Sequence, residues 1–282
     1  MKLSLGTVQF GLDYGVTNSG GQVERSVVEE ILDLAPNLGV YSLDTAVAYG
    51  HSESVLGQFD LKGFKVTSKI PSLAGTKSSI SQTTNESLER LNIDHLYGMM
   101  LHDENDAFAN NWRNLLELQS LKEEGLVSNI GVSFYDSQSA LSVIETGLID
   151  LIQIPANLFD SRFEIAGVFD AAEKNGVEIH VRSLFLQGLL LAKPQERPEK
   201  FCHFSDFSKY DDFCAKSRFS RLEVALSYLI DKSQIEFGVV GCTNVEQLEQ
   251  IASAYNSMTK LDELDFPNFT SSNEDLLNPS KW

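Results

Sequence analysis

Cysteine is scarce: three occur in 282 residues, Cys202, Cys214 and Cys242. Three cannot all pair, and no two form a CxxC clip. The expectation is reduced thiols in a cytoplasmic protein, with a Cys202–Cys214 disulfide as the alternative. Positive charge is short as well. Lys plus Arg number 22 against 40 Asp plus Glu, a formal net charge of -18. Such a surface repels phosphate backbones and anionic lipid, which argues against nucleic-acid and membrane partners. No apolar run approaches the ~20 residues of a membrane span. The opening MKLSLGTVQFGLDYG carries neither a long apolar core nor a cleavage signal, so no signal peptide is expected. The histidines do not cluster and the cysteines lie elsewhere, so no metal site is expected.

What is present is a rhythm. Short strand-like runs fall at 3–6, 41–45, 64–69, 95–101, 129–133, 151–154, 178–184 and 236–240. Helical patterns fall at 23–38, 52–59, 81–91, 111–124, 137–145, 165–175, 221–230 and 245–255. In the first of these, Val27, Val28, Ile31, Leu32 and Leu34 recur near the 3.6 period. Strict alternation implies a parallel sheet with helical crossovers. Eight units in this length favour a single-domain α/β (β/α)8 barrel over residues 1–282. The rival doubly wound sheet wants a glycine-rich phosphate loop after its first strand. Gly6-Thr7-Val8-Gln9-Phe10-Gly11 lacks the GxGxxG spacing. An irregular segment is expected near 193–217, and a tail from about 261 that packs on the barrel. Phe201, His203, Phe204, Phe207, Tyr210 and Phe213 crowd the irregular segment, either as an aromatic lid or as its packing onto the barrel.

Catalytic groups in such a barrel collect at the C-terminal ends of strands. The second strand ends in Asp44, the third in Lys69 and the fourth in His102. Neighbouring strands lie ~4.8 Å apart, so the three can share one pocket, and Tyr49 can turn back over it. This set suits proton donation to a carbonyl. A tyrosine hydroxyl is a poor acid at neutral pH, with a pKa of ~10. A lysine ammonium beside it is expected to lower that value. Asp44 would hold Lys69, His102 would orient the carbonyl oxygen, and Tyr49 would be the general acid.

The segment Asp44-Thr45-Ala46-Val47-Ala48-Tyr49-Gly50-His51-Ser52-Glu53, with Leu56-Gly57 beyond it, resembles the aldo-keto reductase signature. Lys69 and His102 fall at the strand ends where that family carries its lysine and histidine. The resemblance implies an NAD(P)H-dependent oxidoreductase that reduces a small aldehyde or ketone, a sugar-derived carbonyl included. The alternatives are a cofactor-binding regulatory subunit with little turnover and a sugar-modifying enzyme of different redox chemistry.

The resemblance also implies a nicotinamide cofactor across the barrel mouth. It places Gly6, Thr7 and Asp44 beside the cofactor and gives its carboxamide to Ser133 and Gln153. Phe134 stands where the family has a second amide-binding asparagine. Arg182 replaces the usual aromatic residue that stacks on nicotinamide. A guanidinium plane can stack too, or Arg182 can form a salt bridge at the rim. Ser183 and Phe185 match pyrophosphate-contacting positions. The turn before the last helix supplies Gly241, Thr243 and Gln247, where a helix N-terminus suits a phosphate. The resemblance implies NADP(H), yet the family's basic clamp is missing at Gly241 and Gln247, which leaves NAD(H) open. Lys216, Arg218 or Arg221 would have to reach across to replace it.

Overall fold

In the computed structural model, which describes residues 1–75, 78–109, 111–259 and 266–282, the apolar runs become eight parallel strands. They are β1 Leu3–Gly6, β2 Ser42–Asp44, β3 Lys65–Ile70, β4 Leu96–Leu101, β5 Val127–Ser133, β6 Leu151–Pro155, β7 Glu178–Arg182 and β8 Ile235–Gly241. Each strand pairs with the next, and β8 pairs with β1, so the sheet closes into a barrel. The crossover helices are α1 Arg25–Leu34, α2 Ser52–Leu56, α3 Ile80–Leu91, α4 Arg113–Glu123, α5 Ser137–Ile144, α6 Val168–Asn175, α7 Arg221–Asp231 and α8 Val245–Met258. This is the single-domain (β/α)8 architecture that the alternation predicts. Among the described residues no helix is long and apolar enough to cross a membrane.

The helices bury their apolar stripes against the sheet. Val28, Ile31 and Leu32 of α1 and Leu115, Leu118 and Leu121 of α4 are buried, at the i, i+3, i+4 spacing of one helix face. The lower end of the barrel is plugged by side chains near the strand starts. The Tyr97 hydroxyl donates to the Glu178 carboxylate at 2.7 and 2.9 Å. The Lys65 ammonium lies 4.6 Å from the centre of the Tyr97 ring. The opposite, C-terminal end carries the large opening.

Three local expectations are corrected. The first helix does not run through 38: α1 stops at Leu34 and a tight 3-10 turn covers Ala35–Leu38. Pro36 has no N–H to continue the α ladder, and Gly39 ends the turn at φ +82°. Strand seven ends at Arg182 rather than 184, because Ser183 turns to φ +59°. The segment 193–217 is irregular only in its first half: a helix covers Asp206–Lys216. None of the segment's aromatic residues lines the large cavity, and apart from the exposed His203 they pack against the protein. Phe207 and Tyr210 are buried with ring centres 5.4 and 5.5 Å from that of Phe159, and Phe213 meets Phe266 and Phe269.

Leu276 and Leu277 of the tail are buried, so its described part does pack on the barrel. Its expected start at 261–265 lies outside the described residues. Cys202 is exposed, Cys214 half-buried and Cys242 buried, all as free thiols, so Cys202 and Cys214 are not bridged.

Candidate active site

Parallel registry brings the strand ends level. Gly6 pairs with Asp44 on one side and with Gly241 on the other. Asp44 closes β2, Lys69 is the penultimate residue of β3, and His102 follows β4 directly. The four sequence-predicted catalytic residues meet here. Lys69 is fully buried, and its Nζ donates to Asp44 Oδ1 at 2.7 Å, to the Thr45 carbonyl at 2.8 Å and to the Tyr49 hydroxyl at 3.5 Å. Gln153 Nε2 donates to the other Asp44 oxygen at 2.7 Å. Tyr49 and His102 stand edge to face with ring centres 5.8 Å apart.

The rest of the signature positions this set. Ser52 Oγ donates to the Thr7 carbonyl at 2.9 Å and lies 3.1 Å from Thr45 Oγ1. Glu53 is buried and accepts from Ser68 Oγ at 2.5 Å and from Arg90 Nε at 2.7 Å. The Tyr49 loop is pressed against the helix Val8–Gly11, where a Cβ on Gly11 would overlap the Tyr49 carbonyl oxygen. On the other side of this contact Gly50 sits at φ +59° with its own Cβ position 2.5 Å from the Gly11 carbonyl oxygen. Two glycines thus let the backbones touch and fix the height of Tyr49 above the barrel.

Burial sets the electrostatics. It pushes the Lys69 ammonium below its ordinary value, although Asp44 pulls the other way. Burial, then the Lys69 and Arg182 cations, lower His102 to about 4. His102 is therefore neutral at neutral pH, with one ring N–H to donate. Burial and then Asp44 hold the Tyr49 hydroxyl well above the ordinary tyrosine range, with Arg182 opposing them. This corrects the expectation of a lowered tyrosine pKa. Loss of solvent and the Asp44 charge dominate at Tyr49.

A cavity of about 950 Å³ opens over these residues. Gly6, Thr7, Asp44, Ser133, Arg182, Ser183, Phe185, Gly241, Thr243 and Gln247, all predicted from sequence, line it, as do Tyr49 and His102. Lys69 and Gln153 lie beneath the lining. A nicotinamide cofactor fits two features of this wall. Gln153 Oε1 is buried and, among the described residues, has no hydrogen-bond partner, which suits a carboxamide N–H. At Gly241 a Cβ would stand 2.6 Å from Gln9 Oε1, and Gln9 Oε1 also lacks a partner among the described residues. Thr243 N–H and Oγ1 both donate to Gln247 Oε1, at 2.8 and 3.2 Å, and Asn244 caps α8.

The possible replacements for the missing basic clamp do not reach the cavity. Arg221 is bound to Asp211 at 2.8 Å, Arg218 lies over the Phe219 ring, and neither they nor Lys216 line the cavity. Several lining residues escaped the sequence reading: Gln9, Tyr14, Thr17, Tyr135, Gln187 and Glu196. Most lie on loops that the strand pattern does not place. One such loop holds Tyr14, Gly15, Thr17, Asn18, Ser19 and Gly20 at the cavity wall. That loop is tied across the mouth, with Val16 N–H donating to Gln187 Oε1 at 3.2 Å and Thr17 Oγ1 to the Gln187 carbonyl at 2.9 Å.

Comparisons with known proteins agree with this fold. A fold match covers 92% of the chain and 90% of an aldo-keto reductase from Bacillus halodurans in its holo form, with a TM-score of 0.73 and 19% identity. Another covers 90% of the chain and 85% of an aldo-keto reductase from Klebsiella pneumoniae in complex with NADPH, with a TM-score of 0.69 and 18% identity. In sequence, the chain is 28% identical over 126 residues to a D-arabinose 1-dehydrogenase from Saccharomyces cerevisiae, a match to 40% of this chain and 38% of that protein. The model of the Aldo/keto reductase family matches residues 2–274. The chain belongs to the Aldo/keto reductase family.

Proposed function

We propose that the protein reduces the carbonyl group of a small aldehyde or ketone with a reduced nicotinamide cofactor, and that Tyr49 is the general acid. The observation that carries this reading is the convergence of Tyr49, His102 and the buried Lys69–Asp44 pair at one cavity. Ser133 and Gln153 would hold the cofactor's carboxamide. Gly6, Thr7, Ser183, Phe185, Gly241, Thr243 and Gln247 would lie along the rest of it. A reduced nicotinamide held there would supply the hydride for the carbonyl carbon.

The chain's own residues handle the proton. Neutral His102 donates a hydrogen bond to the carbonyl oxygen and sets its direction. Tyr49 stays protonated at neutral pH because its hydroxyl is held above the usual range. It transfers its proton as negative charge grows on the oxygen. The phenolate left behind is met by Lys69 Nζ, 3.5 Å from the hydroxyl, and Asp44 keeps that ammonium in place. NADPH is the first cofactor to test, because the fold neighbour from Klebsiella pneumoniae binds it. Among the described residues the cavity adds no cation for the extra phosphate at the turn before α8, so NADH use is expected as well.

The test is a panel of aldehydes, ketones and aldoses assayed with NADH and NADPH by absorbance of the reduced cofactor. Turnover that requires Tyr49 supports the proposal. Tight cofactor binding with no turnover across the panel would point instead to a cofactor-binding regulatory subunit.

A further inference from the structure

We propose that Arg182 recognises an anionic group on the substrate, so that the preferred carbonyl compounds carry a carboxylate. This deepens the reductase reading and rests on it for the identity of the reaction.

Arg182 closes β7 and lines the same cavity as Tyr49 and His102. It is the one Lys or Arg among the described lining residues. Lys69 lies below the lining and is engaged by Asp44. His102 is uncharged at neutral pH. A negative group that enters the catalytic end of the cavity therefore meets a single standing positive charge.

That charge is free to be used. Among the described residues no carboxylate lies within ion-pair distance of Arg182. Among the described residues its side chain makes one hydrogen bond, from Nη2 to the Phe134 carbonyl at 3.1 Å. A guanidinium has five N–H donors in a planar fork that matches a carboxylate edge to edge. The guanidinium carbon sits 4.0 Å from the centre of the Tyr135 ring, which fixes the plane of the fork. Glu104 holds that ring in place, because its Oε2 accepts from the Tyr135 and Asp136 N–H groups at 3.2 Å each. The other nearby acid, Asp103, is engaged by Ser72 and Asn105.

The charge of Arg182 is felt by its neighbours. Arg182 opposes the charge on Lys69 and helps keep His102 neutral, and an incoming carboxylate relieves the repulsion between the two cations. In a chain with a net charge of -18, an arginine here with no acidic partner departs from ordinary charge pairing. Such departures are expected at functional sites.

The experiment compares para-formylbenzoate with the neutral para-formylbenzamide in the wild type, Arg182→Lys and Arg182→Met. The readout is the ratio of the two kcat/KM values, which cancels any shared effect on cofactor binding or on Tyr49. A charge-assisted contact predicts a wild-type ratio in favour of the carboxylate that falls about 10–100-fold in Arg182→Met and less in Arg182→Lys. An unchanged ratio overturns the proposal. If the ratio holds while cofactor affinity drops, Arg182 is a nicotinamide-stacking residue instead.

A binding arm decides the matter if neither aldehyde turns over. Benzoate and benzamide are titrated by calorimetry into the protein loaded with NADP⁺. A benzoate preference that Arg182→Met abolishes supports anion recognition even where the reductase reading fails. Equal binding of the two, or a preference untouched by the substitution, overturns it.

Discussion

Replacing Lys69 by Met leaves Asp44 as a buried carboxylate with no cation. The Nζ contact at 2.7 Å disappears, and only the Gln153 amide still donates to Asp44. Breaking a buried pair from one side costs about 3–5 kcal/mol, because the remaining charge is uncompensated. For a chain of this size each kcal/mol moves the melting midpoint by ~2–4 °C, so Lys69→Met should lower it by roughly 6–20 °C. Asp44→Asn added to Lys69→Met removes the stranded charge and should recover much of that loss. Activity should not return in the double variant, since Tyr49 still lacks the ammonium that meets its phenolate. The assay is thermal and urea unfolding of the wild type, the Lys69→Met protein and the double variant, with kcat at several pH values on one good substrate. The reasoning is refuted if Lys69→Met melts at the wild-type temperature, or if the double variant is less stable than Lys69→Met.

Three other outcomes follow from named contacts. Gly11→Ala forces the helix Val8–Gly11 away from the Tyr49 carbonyl, and a shift of about 1 Å at the acid should cost ~10²-fold in kcat with the fold retained by circular dichroism. His102 is lowered to about 4 from an ordinary 6.5. The unfolded chain therefore binds more protons between those values, and stability should fall as pH drops through that window. Urea unfolding at stepped pH should show a smaller fall in His102→Asn than in the wild type. The third outcome concerns cofactor choice: with no cation at Gly241, Asn244 or Gln247, dissociation constants for NADH and NADPH should lie within about tenfold of each other. A hundredfold preference for NADPH that survives alanine at Arg218 and Arg221 would contradict this reading.

The parts of the molecule set by regular geometry were legible in the sequence. Period and alternation gave all eight strands, and the strand ends gave Asp44, Lys69 and His102. The motif around Tyr49 was readable through its resemblance to a family signature, and its Thr, Ser and Glu hold structural hydrogen bonds beside Asp44 and Lys69. Loop contacts were not readable. The tie between Thr17 and Gln187 joins residues 170 positions apart through backbone and amide groups, and such contacts leave no periodic trace. The helix Asp206–Lys216 was hidden for another reason: Asp206, Ser208, Lys209, Asp211 and Asp212 interrupt its apolar face. Its burial is decided by partners distant in sequence, Phe159 and Phe269. The Tyr49 pKa was misjudged because Lys69 was counted without the Asp44 charge and the loss of solvent.

The central claim is that Tyr49 delivers the proton. Tyr49→Phe keeps the ring against His102 and removes only the hydroxyl. Single-turnover reduction of the best carbonyl substrate, measured together with the cofactor dissociation constant, tests the claim most directly. The account predicts a rate lower by ~10²–10⁴-fold with cofactor binding almost unchanged. A Tyr49→Phe protein that turns over at the wild-type rate would contradict it.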